Sequence, residues 1–150
     1  MTLHVATSHF LYRGPDRLDI SRMTANAEGV VFAPSWRLIQ DVLPQLRTLK
    51  RTLEMPNLSP IDKAAFEGQE QSVWNMYAER YTEEMRKSYA EHRRQWDALL
   101  AKERVVLTCM CSDRGRCHRG ILAGVLVKLG AEDGGEVEYA GTGSKQLRLL

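Results

Sequence analysis

The sequence predicts an α/β protein: a single three-layer domain over residues 1–150, with a short, mostly parallel sheet flanked by helices. Three observations carry that prediction. RVVLTCMC (104–111) is an almost uninterrupted apolar run, as in a strand buried on both faces. HRGILAGVLVKLG (118–130) then sets Ile121, Leu122, Val125, Leu126 and Leu129 on one helical face, and GEVEYAG (135–141) reads as a further strand. Strand, helix and strand at this spacing make a βαβ unit, whose strands run parallel.

The remaining elements follow in chain order. LHVATSHFLY (3–12) mixes alternation with β-branched and aromatic residues and predicts a first strand. RGPD (13–16) marks a loop, which sets Arg13 just past the strand end. GVVFAP (29–34), closed by Pro34, predicts a second strand. Ser35 is a good N-cap for a helix with apolar residues at Trp36, Ile39, Leu43 and Leu46, and Pro44 is expected to kink or split it. MPNLSP (55–60) is a loop. Glu67 to Lys102 is strongly helical, with Trp74, Tyr77, Tyr81, Met85, Trp96 and Leu99 on one stripe, and its length predicts a break near residue 90. That stripe is most economically core packing, and the charged faces beside it are solvated surface. The first and penultimate strands are expected to be sheet neighbours.

Bulk composition allows one such domain and excludes some functions. The 150 residues are 43% hydrophobic and 27% charged, ordinary for a globular chain. The net charge of +2 is too small to argue for nucleic acid, so any basic surface must come from local clustering. No run reaches the ~18–20 apolar residues of a membrane span, and the N-terminus lacks a signal-peptide pattern. No membrane partner is expected. The three cysteines, crowded between 109 and 117, do not make a disulfide framework, and a reducing, cytoplasmic compartment is the expectation.

The chemistry is concentrated in CMCSDRGRCHRG (109–120). Zinc ligands usually arrive as two separated pairs, whereas Cys117 and His118 are adjacent, so no metal and no other cofactor is expected. A phosphatase-type loop needs Cys-x5-Arg, and none of the three cysteines has arginine at that position. An anion cradle fits better. Ser112 to His118 leave the carboxyl end of a buried strand and enter a helix start, where unpaired N–H groups and the positive dipole end converge. Gly115 lets the chain fold back, while Arg114, Arg116, Arg119 and His118 supply donors for phosphate or carboxylate. A thiol at Cys117 beside that helix start is expected to have a lowered pKa. The plainer alternative buries Cys117 under the helix and leaves the arginines in solvent.

A strand cysteine, seven residues and then Cys-His-Arg opening an apolar helix resembles the domain-of-unknown-function family 488. VVLTCMCSDRGRCHRGILAGVLVKLG resembles its C-terminal hallmark, with Cys109 as the strand cysteine and Cys117-His118-Arg119 as the triplet. TSHFLYRGPDRLDISR resembles the opening of one subgroup, FAPSW a segment after it, and WNMYAERYTEEMRKSYAEHRRQWDALL the subgroup's long middle helices. The resemblance implies an α/β fold and a site around Cys-His-Arg. It supplies no reaction and no role for Cys111.

The expected function is binding of a phosphate-bearing small molecule or nucleic acid, most plausibly a nucleotide or nucleic-acid end, at the 112–119 strand–loop–helix. If the protein is an enzyme, Cys117 is the nucleophile or redox thiol, His118 the acid or base, and Arg119 and Arg114 hold the anion. Ser112, Gly115 and Arg116 complete the cradle, and Tyr12 and Arg13 form an opposing wall. Two alternatives stay open: a non-catalytic nucleic-acid-binding module using Arg47, Lys50 and Arg51, and a structural or interaction protein with a buried Cys-His-Arg cluster. The sequence sets no oligomeric state.

Overall fold

Four consecutive buried residues explain the sheet. In the computed structural model, which describes residues 2–110 and 116–137, the apolar run forms β3 (Arg104–Thr108), with Val105, Val106, Leu107 and Thr108 all buried. A strand covered on both faces needs neighbours on both edges. β1 (His4–Ser8) pairs with it on one side, from His4 beside Arg104 to Thr7 beside Leu107, and β2 (Arg17–Asp19) pairs on the other. β4 (Glu132–Val137) lies outside β1, so the order is β2-β3-β1-β4 and every pair is parallel. The chain is thus an α/β fold, and its first and penultimate strands are neighbours as expected.

Four α-helices connect and cover these strands: α1 (Trp36–Leu53), α2 (Pro60–Glu91), α3 (Arg93–Leu100) and α4 (His118–Lys128). α4 is the crossover from β3 to β4. It packs on β1, β3 and β4, α2 packs on α4, and α1 packs on α2. Leu122 and Leu126 of α4 join Val5, Leu107, Tyr81 and Trp96 in one core cluster. The aromatic stripe is therefore core, as its spacing indicated. The expected break after residue 90 falls at His92, between α2 and α3.

Three expectations are corrected. GVVFAP is not a strand: Val30–Phe32 is a single 3-10 turn. Its carbonyls are taken by α2 rather than by a ladder, since Tyr81 Oη donates to Phe32 O at 2.7 Å and Ser88 Oγ to Val31 O at 2.6 Å. Pro44 does not split α1, which runs from the Ser35 cap to Leu53. β2 carries one buried apolar residue, Leu18, too weak a signal to read from sequence. β4 also starts earlier than expected, because a register shift opposite Val5–Thr7 absorbs Gly134 and Gly135, the latter at φ +70. Residues 138–141 of the expected strand lie outside the described residues.

Candidate functional site

Cys117 is the N-cap of α4, in extended conformation, so the Cys-His-Arg triplet turns the chain from the loop after β3 into the helix. Each member faces the sheet. His118 is buried, and its Nε2 lies 2.9 Å from Ile20 O, just past β2. A carbonyl only accepts, so Nε2 carries a proton, and when the ring is neutral Nδ1 presents its lone pair. That Nδ1 stands 3.7 Å from Cys117 Sγ. Arg119 is 3% exposed, and its Nη1 donates to Ser8 O at the end of β1 at 2.5 Å. Ser8 Oγ in turn donates to Val137 O, so one residue joins β1, β4 and α4.

Cys109 lies one residue past β3, and its sulfur sits 2.7 Å from that of Cys117. Cys109 Sγ, Cys117 Sγ and a ring nitrogen of His118 all fall within 4.8 Å of one another. The adjacency of Cys117 and His118 therefore does not keep their donor atoms apart, contrary to the spacing argument against zinc. The two sulfurs stand closer together than a shared zinc ion holds them. Bonds of about 2.3 Å to two thiolates hold their sulfurs roughly 3.8 Å apart in a tetrahedron. An aromatic ladder backs the cluster: Trp74 stacks on Tyr77, Tyr77 on Tyr81, and Tyr81 meets the His118 ring edge-on at 5.3 Å. Burial pushes the Tyr81 hydroxyl pKa well above its ordinary value, and Tyr77 and the two thiols add to the effect.

In front of His118 opens a cleft of about 300 Å³ between the start of α4, the residues after β2, and helices α1 and α2. Four cationic side chains line it, Arg22, Arg47, Lys50 and Arg116, against one acid, Glu70. Arg22 is anchored to Pro34 O and Ala33 O, and Arg116 to Gln71 Oε1 with Glu70 at 3.8 Å. Arg47 and Lys50 make no ion pair among the described residues. Trp36, Met23 and Met110 lie exposed at its rim, Trp36 at 50%. A larger open hollow of about 770 Å³ between α1 and α2 has no charged lining residue and lies away from this chemistry.

Sequence-based expectations meet this geometry unevenly. Cys117, His118 and Arg119 sit together with Cys109, while of the expected ligand-binding residues Arg116 reaches the cleft. Ser112, Arg114 and Gly115 lie outside the described residues, as does Cys111. Tyr12 and Arg13 do not line the cleft. Tyr12 Oη donates to Asp16 Oδ1 at 2.6 Å, and Arg13 bonds the carbonyls of Phe10 and Tyr12. Arg47 and Lys50, expected only under the nucleic-acid alternative, do face the cleft. Arg22 and Trp36 gave no sequence signal, because only the packing of α1 against the β2 exit brings them near His118.

A family model described as the Active DUF488-N3 subclade matches residues 30–130. No curated protein and no solved structure matches the chain.

Proposed function

The chain belongs to the DUF488 family, and we propose that it binds a phosphate-bearing ligand, a nucleotide or a nucleic-acid end, in the cleft in front of His118. The observation that carries this reading is the lining of that cleft: among the described residues, four cations against one acid, beside the exposed face of Trp36. Arg47 and Lys50 make no ion pair among the described residues and suit a phosphate, with Arg116 held nearby. An indole at the rim offers a stacking platform for a base, worth about 1–3 kcal/mol per base. The start of α4 adds its dipole from the same side. If the ligand is also transformed, the reactive pair is Cys117 with His118, whose Nδ1 lies 3.7 Å from the thiol and is placed to take its proton. A subclade described as active accords with such a role.

A second reading has its own support. His118 and Arg119 both bond strand-end carbonyls, as a scaffolding cluster would. Calorimetry on the whole chain separates the two, using a 5′-mononucleotide, its nucleoside and a 5′-phosphorylated oligonucleotide. Saturable binding of a phosphorylated probe but not of the nucleoside, weakened at least tenfold in the Arg47→Ala/Lys50→Ala variant, is expected. The better of the two phosphorylated probes identifies the source of the phosphate. Equal affinity in wild type and variant would sink the cleft reading and leave the scaffolding one.

A further inference from the structure

The two sulfurs behind the cleft stand closer together than packing alone places them. Non-bonded carbon atoms rest at about 3.5–4.0 Å, and sulfur is larger. Cys109 and Cys117 are nevertheless 2.7 Å apart, both buried, on two segments each fixed independently. Cys109 follows β3, whose Thr108 carbonyl accepts from Ile20 N at 2.9 Å, and Met110 N is held by Ser21 Oγ at 3.0 Å. Cys117 is held as the cap of α4, immediately before His118 and Arg119, which are both hydrogen-bonded to strand-end carbonyls. A zinc ion would have to push the sulfurs about 1 Å apart to reach tetrahedral spacing. A sulfur–sulfur bond of about 2.05 Å has a smaller gap to close.

We propose that Cys109 and Cys117 are a redox pair that forms a reversible disulfide, with His118 as the base that makes Cys117 the attacking sulfur. His118 Nδ1 takes the Cys117 proton, and the thiolate attacks one oxygen of a hydroperoxide. The O–O bond breaks, the leaving oxygen departs as water or an alcohol after taking up that proton, and Cys117 becomes a sulfenic acid. The sulfur of Cys109 then attacks the sulfenic sulfur and expels its oxygen as water. Two thiols and one hydroperoxide thus yield one disulfide, one water and one water or alcohol, with two electrons passing from sulfur to oxygen. A small oxidant suits a thiol that is 4% exposed, and Cys109 is near enough to trap the sulfenic acid before further oxidation. The inference does not depend on the nature of the ligand in the cleft.

Hydrogen peroxide is the probe. The full-length chain, purified reduced and without added metal, is treated with peroxide, then denatured in acid and alkylated with a maleimide. Intact mass should fall by 2 Da, and one maleimide should be incorporated in place of three. Dithiothreitol should restore all three. In the Cys111→Ser variant, tryptic fragments should still join residues 105–114 to Cys117-His118-Arg119. Three results would each overturn the proposal: a wild-type link that involves Cys111, two thiols still alkylatable after peroxide in Cys111→Ser, or stoichiometric zinc that shields Cys109 and Cys117 while leaving them unoxidised.

Discussion

Arg119 keeps a guanidinium almost wholly inside the protein, with Nη1 on Ser8 O at the carboxyl end of β1. A hydrogen bond from a charged donor contributes about 1.5–3 kcal/mol, and truncation adds a packing loss. Arg119→Ala should therefore lower stability by about 2–4 kcal/mol with no ligand present, read from the urea midpoint at unchanged slope. An arginine acting only as an anion anchor would behave in the opposite way. Its removal would leave the midpoint in place and abolish binding. His118 illustrates the same residue-level logic, since its bond to Ile20 O fixes the ring with Nε2 on that carbonyl and Nδ1 towards Cys117.

Among the elements, the junction of α2 and α3 rests on a hydroxyl. Ser88 Oγ donates to Val31 O in the 3-10 turn and accepts from Trp96 Nε1 of α3 at 2.9 Å. It thereby fastens the 3-10 turn, far away in sequence, to both helices. Trp96 is fully buried and meets Phe32 edge-on at 4.9 Å, so its indole N–H has no water to fall back on. Ser88→Ala would leave a buried donor and a carbonyl unsatisfied, each worth about 1–3 kcal/mol. A loss of roughly 2–4 kcal/mol in a urea titration is expected, well above the ~1 kcal/mol of an ordinary lost helix cap. A loss below 1 kcal/mol would show that the junction holds without it.

Across the whole molecule, the link from β1 to β2 is pinned to the sheet by a carboxylate. Asp16 accepts from Tyr12 Oη and pairs with Arg104 Nε at 2.7 Å, at the first residue of β3. Burial works against the Asp16 charge, but the Tyr12 hydroxyl, its own backbone N–H and Arg104 together hold its pKa below the ordinary 3.8. Burial, with the Asp16 carboxylate, pushes the Tyr12 pKa up to about 12. The signs follow from linkage. Asp16 binds its proton less tightly when folded, so its contribution is complete above the unfolded pKa and is lost as pH falls through the lowered one. Tyr12 contributes fully below its ordinary 10.0 and loses this as pH rises through about 12. Asp16→Asn should cost about 1–2 kcal/mol near neutrality. That gap should stay constant down to about pH 4 and close below it. A gap independent of pH down to 2 would refute the assignment.

Periodicity by itself determined the βαβ unit, the Ser35 cap, the long helices with their break, and the burial of the aromatic stripe, because each is written in residues close along the chain. The Cys-His-Arg triplet was legible for the same reason, as a cap and the first turn of one helix. Tertiary structure decided the rest. GVVFAP had the composition of a strand, and it became a 3-10 turn because Tyr81 and Ser88, some fifty residues away, take its carbonyls. The partner of Arg119 was equally hidden, since Ser8 comes beside it only when α4 packs on β1. Arg22, Trp36, Arg47 and Lys50 meet at the cleft because α1 folds back along α2 and over the exit of β2. Local pattern records which face a residue buries. It does not record what lies across from that face, which is set by the packing of segments distant in sequence.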